Sequence, residues 1–134
     1  MSAGTDVDRL VASMAPELHD GRFVFATLPP GVRVPDGVAV VASVRESEGL
    51  SVVVPAEQAE RHDLVADFSC AWITLQVHSA LEAVGFLALV ATALAEAGIS
   101  ANAVAGFHHD HLFVPWSRRD DAMRTLGALA RSAR

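Results

Sequence analysis

The chain has 134 residues, with hydrophobic residues at 51%, charged residues at 19% and a net charge of -6. That balance excludes intrinsic disorder and leaves room for one compact domain or two very small units. Lysine is absent, all ten basic residues are arginine, and they are too dispersed along an acidic chain to form a nucleic-acid-binding stripe.

Val7, Leu10, Val11 and Met14 recur at i, i+3, i+4 and i+7, which predicts an amphipathic helix over residues 6–15, with Pro16 discouraging its continuation. The stretch before it has no apolar core and predicts no signal peptide. Arg22 to Leu28, rich in Phe, Val and Thr, reads as a strand. Pro29 to Gly37 holds three prolines and two glycines and reads as a loop. Val38 to Arg45 and Leu50 to Val54 read as a hairpin about the polar turn Glu46 to Gly49, and Pro55 opens a short helix to about His62. Cys70 is a lone cysteine among apolar residues, which fits a buried inert thiol.

Ala71 to Val77 reads as a central strand, apolar on both faces. A helix should follow from Ser79 to Ala97, opened by a Ser79–Glu82 capping box and closed by Gly98. Its apolar stretch, Ala83 to Ala95, is shorter than the roughly 20 residues a membrane span needs. With no signal peptide either, a soluble cytoplasmic protein is expected. Ile99 to Phe107 and His111 to Val114 form a second hairpin, and Ser117 to Asp120 caps a last helix buried through Ala122, Met123, Leu126, Leu129 and Ala130.

The order after residue 70 is β-α-β-β-α, a ferredoxin-like unit lacking its last strand. Val54-Pro55 and Val114-Pro115 end hairpin strands sixty residues apart, an internal echo of duplication. The expected fold class is therefore α+β: two ferredoxin-like (βαββαβ) units in tandem, residues 1–66 and 67–134, with helices on one face of antiparallel sheets. The first half has the proline-rich loop where the second has its long helix. The missing strand leaves an open edge for the first half or another chain to fill.

Chemistry-bearing clusters are few. His108, His109, Asp110 and His111 are metal-ligand types, but successive strand residues point to opposite faces, so at most two of them converge readily. Asp110 as a turn cap, with His109 or His111 in structural hydrogen bonds, is the simpler reading. His78 and Ser79 are parts of a hydrolytic triad, yet adjacent residues rarely meet as nucleophile and base, and no glycine-flanked serine elbow, phosphate loop or Cys-x-x-Cys pair appears. No catalytic residue, metal or cofactor is expected.

The run Trp72-Ile73-Thr74-Leu75 through His78-Ser79-Ala80-Leu81-Glu82-Ala83-Val84-Gly85 resembles the first strand and helix of an ACT domain, and Gly98-Ile99-Ser100-Ala101-Asn102 resembles the entry to its second strand. With His109 to Pro115, Met14 to Leu18, Phe23 to Phe25 and Arg45 to Leu50, the chain resembles uncharacterised bacterial tandem ACT-domain proteins. The resemblance implies a regulatory module, not an enzyme, that binds an amino acid between paired units and acts on a separate enzyme chain, as a homodimer or higher homo-oligomer. It places the ligand at His78, Ser79, Ala80, Leu81, Glu82, Gly98, Ile99 and Asn102, with His109, Asp110 and His111 as auxiliaries. The alternatives are a ligand-free homo-oligomerising module and, further off, a metal-dependent hydrolase using His108 to His111.

Overall fold

The structure, a computed structural model, describes residues 3–77 and 84–133. Two compact units emerge. Unit 1 joins residues 1–19 to 71–134, and unit 2 is residues 20–70. The expected halves, 1–66 and 67–134, are thus not the compact bodies, because the N-terminal helix and strand fold with the second half.

In unit 1, α1 (Ala3–Ser13) presents Val7, Leu10, Val11 and Met14 to the core, as their spacing requires. β1 (Pro16–Leu18) pairs antiparallel with the second half of β5 (Val65–Leu75), with Pro16 opposite Leu75 and Leu18 opposite Ile73. This short strand is the missing last strand of the β-α-β-β-α pattern. α3 (Phe86–Glu96), β6 (Asn102–Ala105), β7 (Asp110–Pro115) and α4 (Arg119–Ser132) follow, the last preceded by a 3-10 turn at Trp116–Arg118. The strand order β1-β5-β7-β6 is that of a complete ferredoxin-like unit. Ile73, Leu75, Leu112 and Val114 face the helices and pack with Phe86, Val90, Leu94 and Leu126.

Three expectations need adjustment here. The helix expected from Ser79 does not run unbroken to Ala97: Val84 and Gly85 are bends, and Gly85 has φ of +95°, a left-handed conformation that a continuing helix does not use. The expected cap at Ser79 and Glu82 lies outside the described residues. α4 carries no side-chain cap at its N-terminus; instead Arg118 donates from Nε to Asp121 at 2.9 Å. The strand expected over Ile99 to Phe107 is confined to Asn102–Ala105.

The other end of α3 behaves as expected. Gly98 has φ of +73°, its N–H bonds the Ala95 carbonyl, and the Ile99 N–H bonds the Leu94 carbonyl, both at 2.9 Å. This is a Schellman closure, sealed by burial of Ile99 in the core. Arg118 donates to the carbonyls of Ala97 and Gly98, at 3.1 and 3.3 Å, and so ties that end down.

In unit 2, β2 (Phe23–Leu28) pairs antiparallel with β4 (Gly49–Pro55) and with the first half of β5, and β3 (Ala42–Glu46) pairs with β4. The hairpin turn is Ser47-Glu48. α2 (Ala56–Arg61) covers one face. Loop residues Val34 and Val38 pack on Ala26, Leu28, Val52 and Val54, filling the place of a first helix. β3 begins four residues later than expected, and β5 begins six residues earlier. Within β5 an extra residue bulges between the partners of Phe23 and Phe25, where Phe68 takes φ of +60°.

Candidate functional site

Strand alternation decides what the helix-free face of unit 1 displays. Ala71, Ile73 and Leu75 point to the helices, so Trp72 and Thr74 point away. On β7, Leu112 and Val114 are core residues, which turns His111 and Phe113 to the same outer face; the β6 register then brings Val104 opposite His111 and Asn102 opposite Phe113. From β1's side, the His19 N–H bonds the Trp72 carbonyl at 2.9 Å and extends the pairing by a residue.

These side chains form one hydrogen-bonded group. His19 stacks on Trp72 with ring centroids 3.6 Å apart and 14° between planes. His19 Nε2 lies 2.7 Å from Thr74 Oγ1, and His111 Nδ1 lies 3.0 Å from that hydroxyl and 3.1 Å from Trp72 Nε1. Indole N–H only donates, so His111 Nδ1 must be the bare, accepting nitrogen. The Thr74 hydroxyl can then also donate to His111 while accepting from His19 Nε2–H. Burial first, then the charges of His109 and His19, push the His111 pKa below the ordinary value, with Asp110 opposing. Thr74 is 3% exposed, and this network satisfies it. Gly106 is part of the same construction: a Cβ there would stand 3.0 Å from the His109 carbonyl oxygen and 3.2 Å from His111 Nε2.

Of the residues expected to bind ligand, only Gly98, Ile99 and Asn102 and the auxiliaries His109, Asp110 and His111 are among the described residues. His78, Ser79, Ala80, Leu81 and Glu82 lie outside the described residues, between Val77 at the end of β5 and Val84. His109 is close to that segment's start, with Nδ1 3.4 Å from the Val77 carbonyl. Gly98, Ile99 and Asn102 lie beyond the far end of α3, whose eleven residues span about 16 Å. Gly98 and Ile99 are occupied in closing the helix, and the Ile99 side chain is buried. Asn102 is exposed at the start of β6, where it pairs with Phe113, and its side chain makes no described hydrogen bond.

The histidine run does not converge. His108 packs edge-on against Phe107, His109 turns to Val77 and His111 to Thr74 and Trp72. Among the described residues no group of three or more histidine, cysteine or acidic side chains could hold a metal ion. Cys70 donates its thiol to the Phe23 carbonyl at 3.4 Å, and burial pushes its pKa up to about 12, as an inert thiol requires. Sequence reasoning missed the partnership of His19, Trp72 and Thr74. Its one available signal was a threonine and a tryptophan two residues apart in the otherwise aliphatic run Ala71 to Leu75.

The described architecture is α+β and built on ferredoxin-like organisation. ACT domain models match residues 2–71 and 67–128, and the chain belongs to the ACT domain family, with two such domains in tandem. No curated protein matches it. Among solved structures, it is similar to a protein of unknown function from Vibrio cholerae, described as a possible transport protein: TM-score 0.86, 42% identity, covering 96% of this chain and 99% of that one. An Agrobacterium tumefaciens protein aligns with TM-score 0.73 and 22% identity over 87% of this chain and 89% of its own. The regulatory subunit of aspartate kinase from Thermus thermophilus shares the fold, with TM-score 0.63 and 11% identity over 87% and 96%. No helix among the described residues is long and apolar enough to cross a membrane.

Proposed function

We propose that the protein is a non-catalytic regulatory module that binds an amino acid and passes the signal to an enzyme on a separate chain. The observation that carries this reading is the pair of ACT domain matches spanning residues 2–128. The fold it shares with the regulatory subunit of aspartate kinase supports the same reading.

The proposed ligand contacts are His78, Ser79, Ala80, Leu81 and Glu82, and Gly98, Ile99 and Asn102, with His109, Asp110 and His111 as auxiliaries. The site is proposed to form between two copies of the chain, which makes the binding-competent form a homo-oligomer. Each part has a chemical role. Main-chain N–H groups suit the ligand carboxylate, the Glu82 carboxylate suits its ammonium, and Asn102 can donate and accept. A ligand bound between copies acts by favouring one arrangement of them over another.

The test is thermal unfolding of the purified protein against each of the twenty amino acids. A ligand present at about 100 times its Kd stabilises the native state by roughly 2.7 kcal/mol, a shift of several degrees. The shift should vanish in Asn102→Ala with the unliganded fold intact. A flat panel contradicts the proposal.

A further inference from the structure

We propose that the outer face of unit 1 carries a proton-operated clasp, in which Thr74 fastens His19 and His111 to β5 only while no more than one of the two imidazoles is cationic. The clasp needs no ligand, so it stands apart from the amino-acid reading. Its parts come from three strands: His19 follows β1, Trp72 and Thr74 belong to β5, and His111 belongs to β7.

The rule follows from donors and lone pairs. Thr74 is 3% exposed, so its hydroxyl proton must go to a protein acceptor, and its described partners are His19 Nε2 at 2.7 Å and His111 Nδ1 at 3.0 Å. With both rings neutral, the hydroxyl donates to His111 Nδ1, beside the Trp72 indole N–H at 3.1 Å, and accepts from His19 Nε2–H. A proton added to His19 goes to Nδ1 and leaves all three bonds in place. A proton added to His111 goes to Nδ1 and reverses the arrangement. That nitrogen now donates to Thr74, the hydroxyl turns to a bare His19 Nε2, and the Trp72 indole loses this acceptor. With both rings cationic, each nitrogen facing Thr74 carries a hydrogen, and the hydroxyl proton has no imidazole to go to. The second proton opens the clasp.

The surroundings act in the same direction. Burial first, then His109 and His19, disfavour a charge on His111, and Asp110 opposes them. β6 offers His111 no titratable group, since Val104 stands opposite it and Gly106 lies against its ring. On β5, Trp72, Thr74 and Gln76 are neutral, and Glu17 of β1, opposite Thr74, accepts from the Gln76 amide. Two rings that share one hydroxyl titrate as a pair, with separated midpoints. β1 feels the outcome, because it is three residues long. Beyond its backbone pairing, His19 holds this segment through the stack on Trp72 and the bond to Thr74. Opening the clasp loosens residues 16–19 on β5.

The experiment is a histidine nitrogen NMR titration of the unliganded full chain from about pH 8 to 4.5, with the Trp72 indole and the backbone amides followed in the same samples. At the alkaline end His111 should carry its proton on Nε2. The pair should take up its two protons at midpoints at least about one pH unit apart. The Trp72 indole resonance should move with the His111 proton and not with that of His19. The second uptake should coincide with shifts at the amides of residues 17–19. Thr74→Ser, which keeps the hydroxyl, should preserve the separation, and Thr74→Val should narrow it. His19→Gln, which leaves a neutral side chain, should raise the His111 midpoint. Coincident midpoints, a separation untouched by Thr74→Val, amides that stay still through the second uptake, or a His111 ring neutral down to acid unfolding would each overturn the proposal. If Thr74→Val does not fold, His19→Gln decides: an unmoved His111 midpoint there overturns it as well.

Discussion

Thr74 joins His19 to His111, and the indole N–H of Trp72 can be accepted by His111 Nδ1 only while that nitrogen is unprotonated. Thr74→Val keeps the volume and removes both bonds, leaving His19 Nε2 short of a partner and His111 Nδ1 with the Trp72 indole N–H alone. It should destabilise the fold by about 1–3 kcal/mol in urea unfolding. The same network sets a pH dependence. The folded pKa of His111 lies below the ordinary 6.5, so an unfolded chain takes up that proton first as pH falls. The group's contribution is complete above about pH 6.5 and is lost as pH drops below it, until the folded imidazole also protonates. Unfolding midpoints measured from pH 7.5 to 5 should fall across that window, and His111→Asn should flatten this part of the profile. Asp121 adds a second slope lower down. The hydrogen bond from Arg118 holds its carboxyl below the usual range, and that support is present at neutral pH and lost on acidification.

At the scale of elements, α3 is closed by Gly98 and by the two bonds of its Schellman turn. Gly98→Ala puts a Cβ into a left-handed conformation with open space around it, so the cost is conformational, roughly 1 kcal/mol, and thermal unfolding should report it. Elements with periodic side chains were legible in the sequence. The spacing of Val7, Leu10, Val11 and Met14 marked α1, and glycine marked the end of α3. Other elements carried no such pattern. β1 is three residues long and its pairing with β5 is long-range, set by a chain reversal that local pattern does not encode. Val65 to Cys70 reads as mixed polarity because a bulge at Phe68 breaks the alternation that would mark a strand. The start of α3 was misplaced because Val84 and Gly85 sit inside an alanine- and leucine-rich run of strong helix propensity, which a single left-handed glycine overrides.

For the whole molecule, the tandem ferredoxin-like organisation was legible from element order and the spaced Val-Pro echo, while the discontinuous membership of unit 1 was not. The candidate site was legible only as far as the family pattern reaches. Asn102 stands exposed at the start of β6, whereas the side chain of Ile99 belongs to the core and Gly98 to a helix cap. The most direct test of amino-acid binding is an amide NMR titration with the amino acid that most raises the melting temperature. The account predicts saturable shifts at residues 78–82 and at Asn102, with oligomer mass held or increased by ligand in light scattering. An amino acid that binds while leaving both segments unmoved, or no binding by any of the twenty, would contradict it.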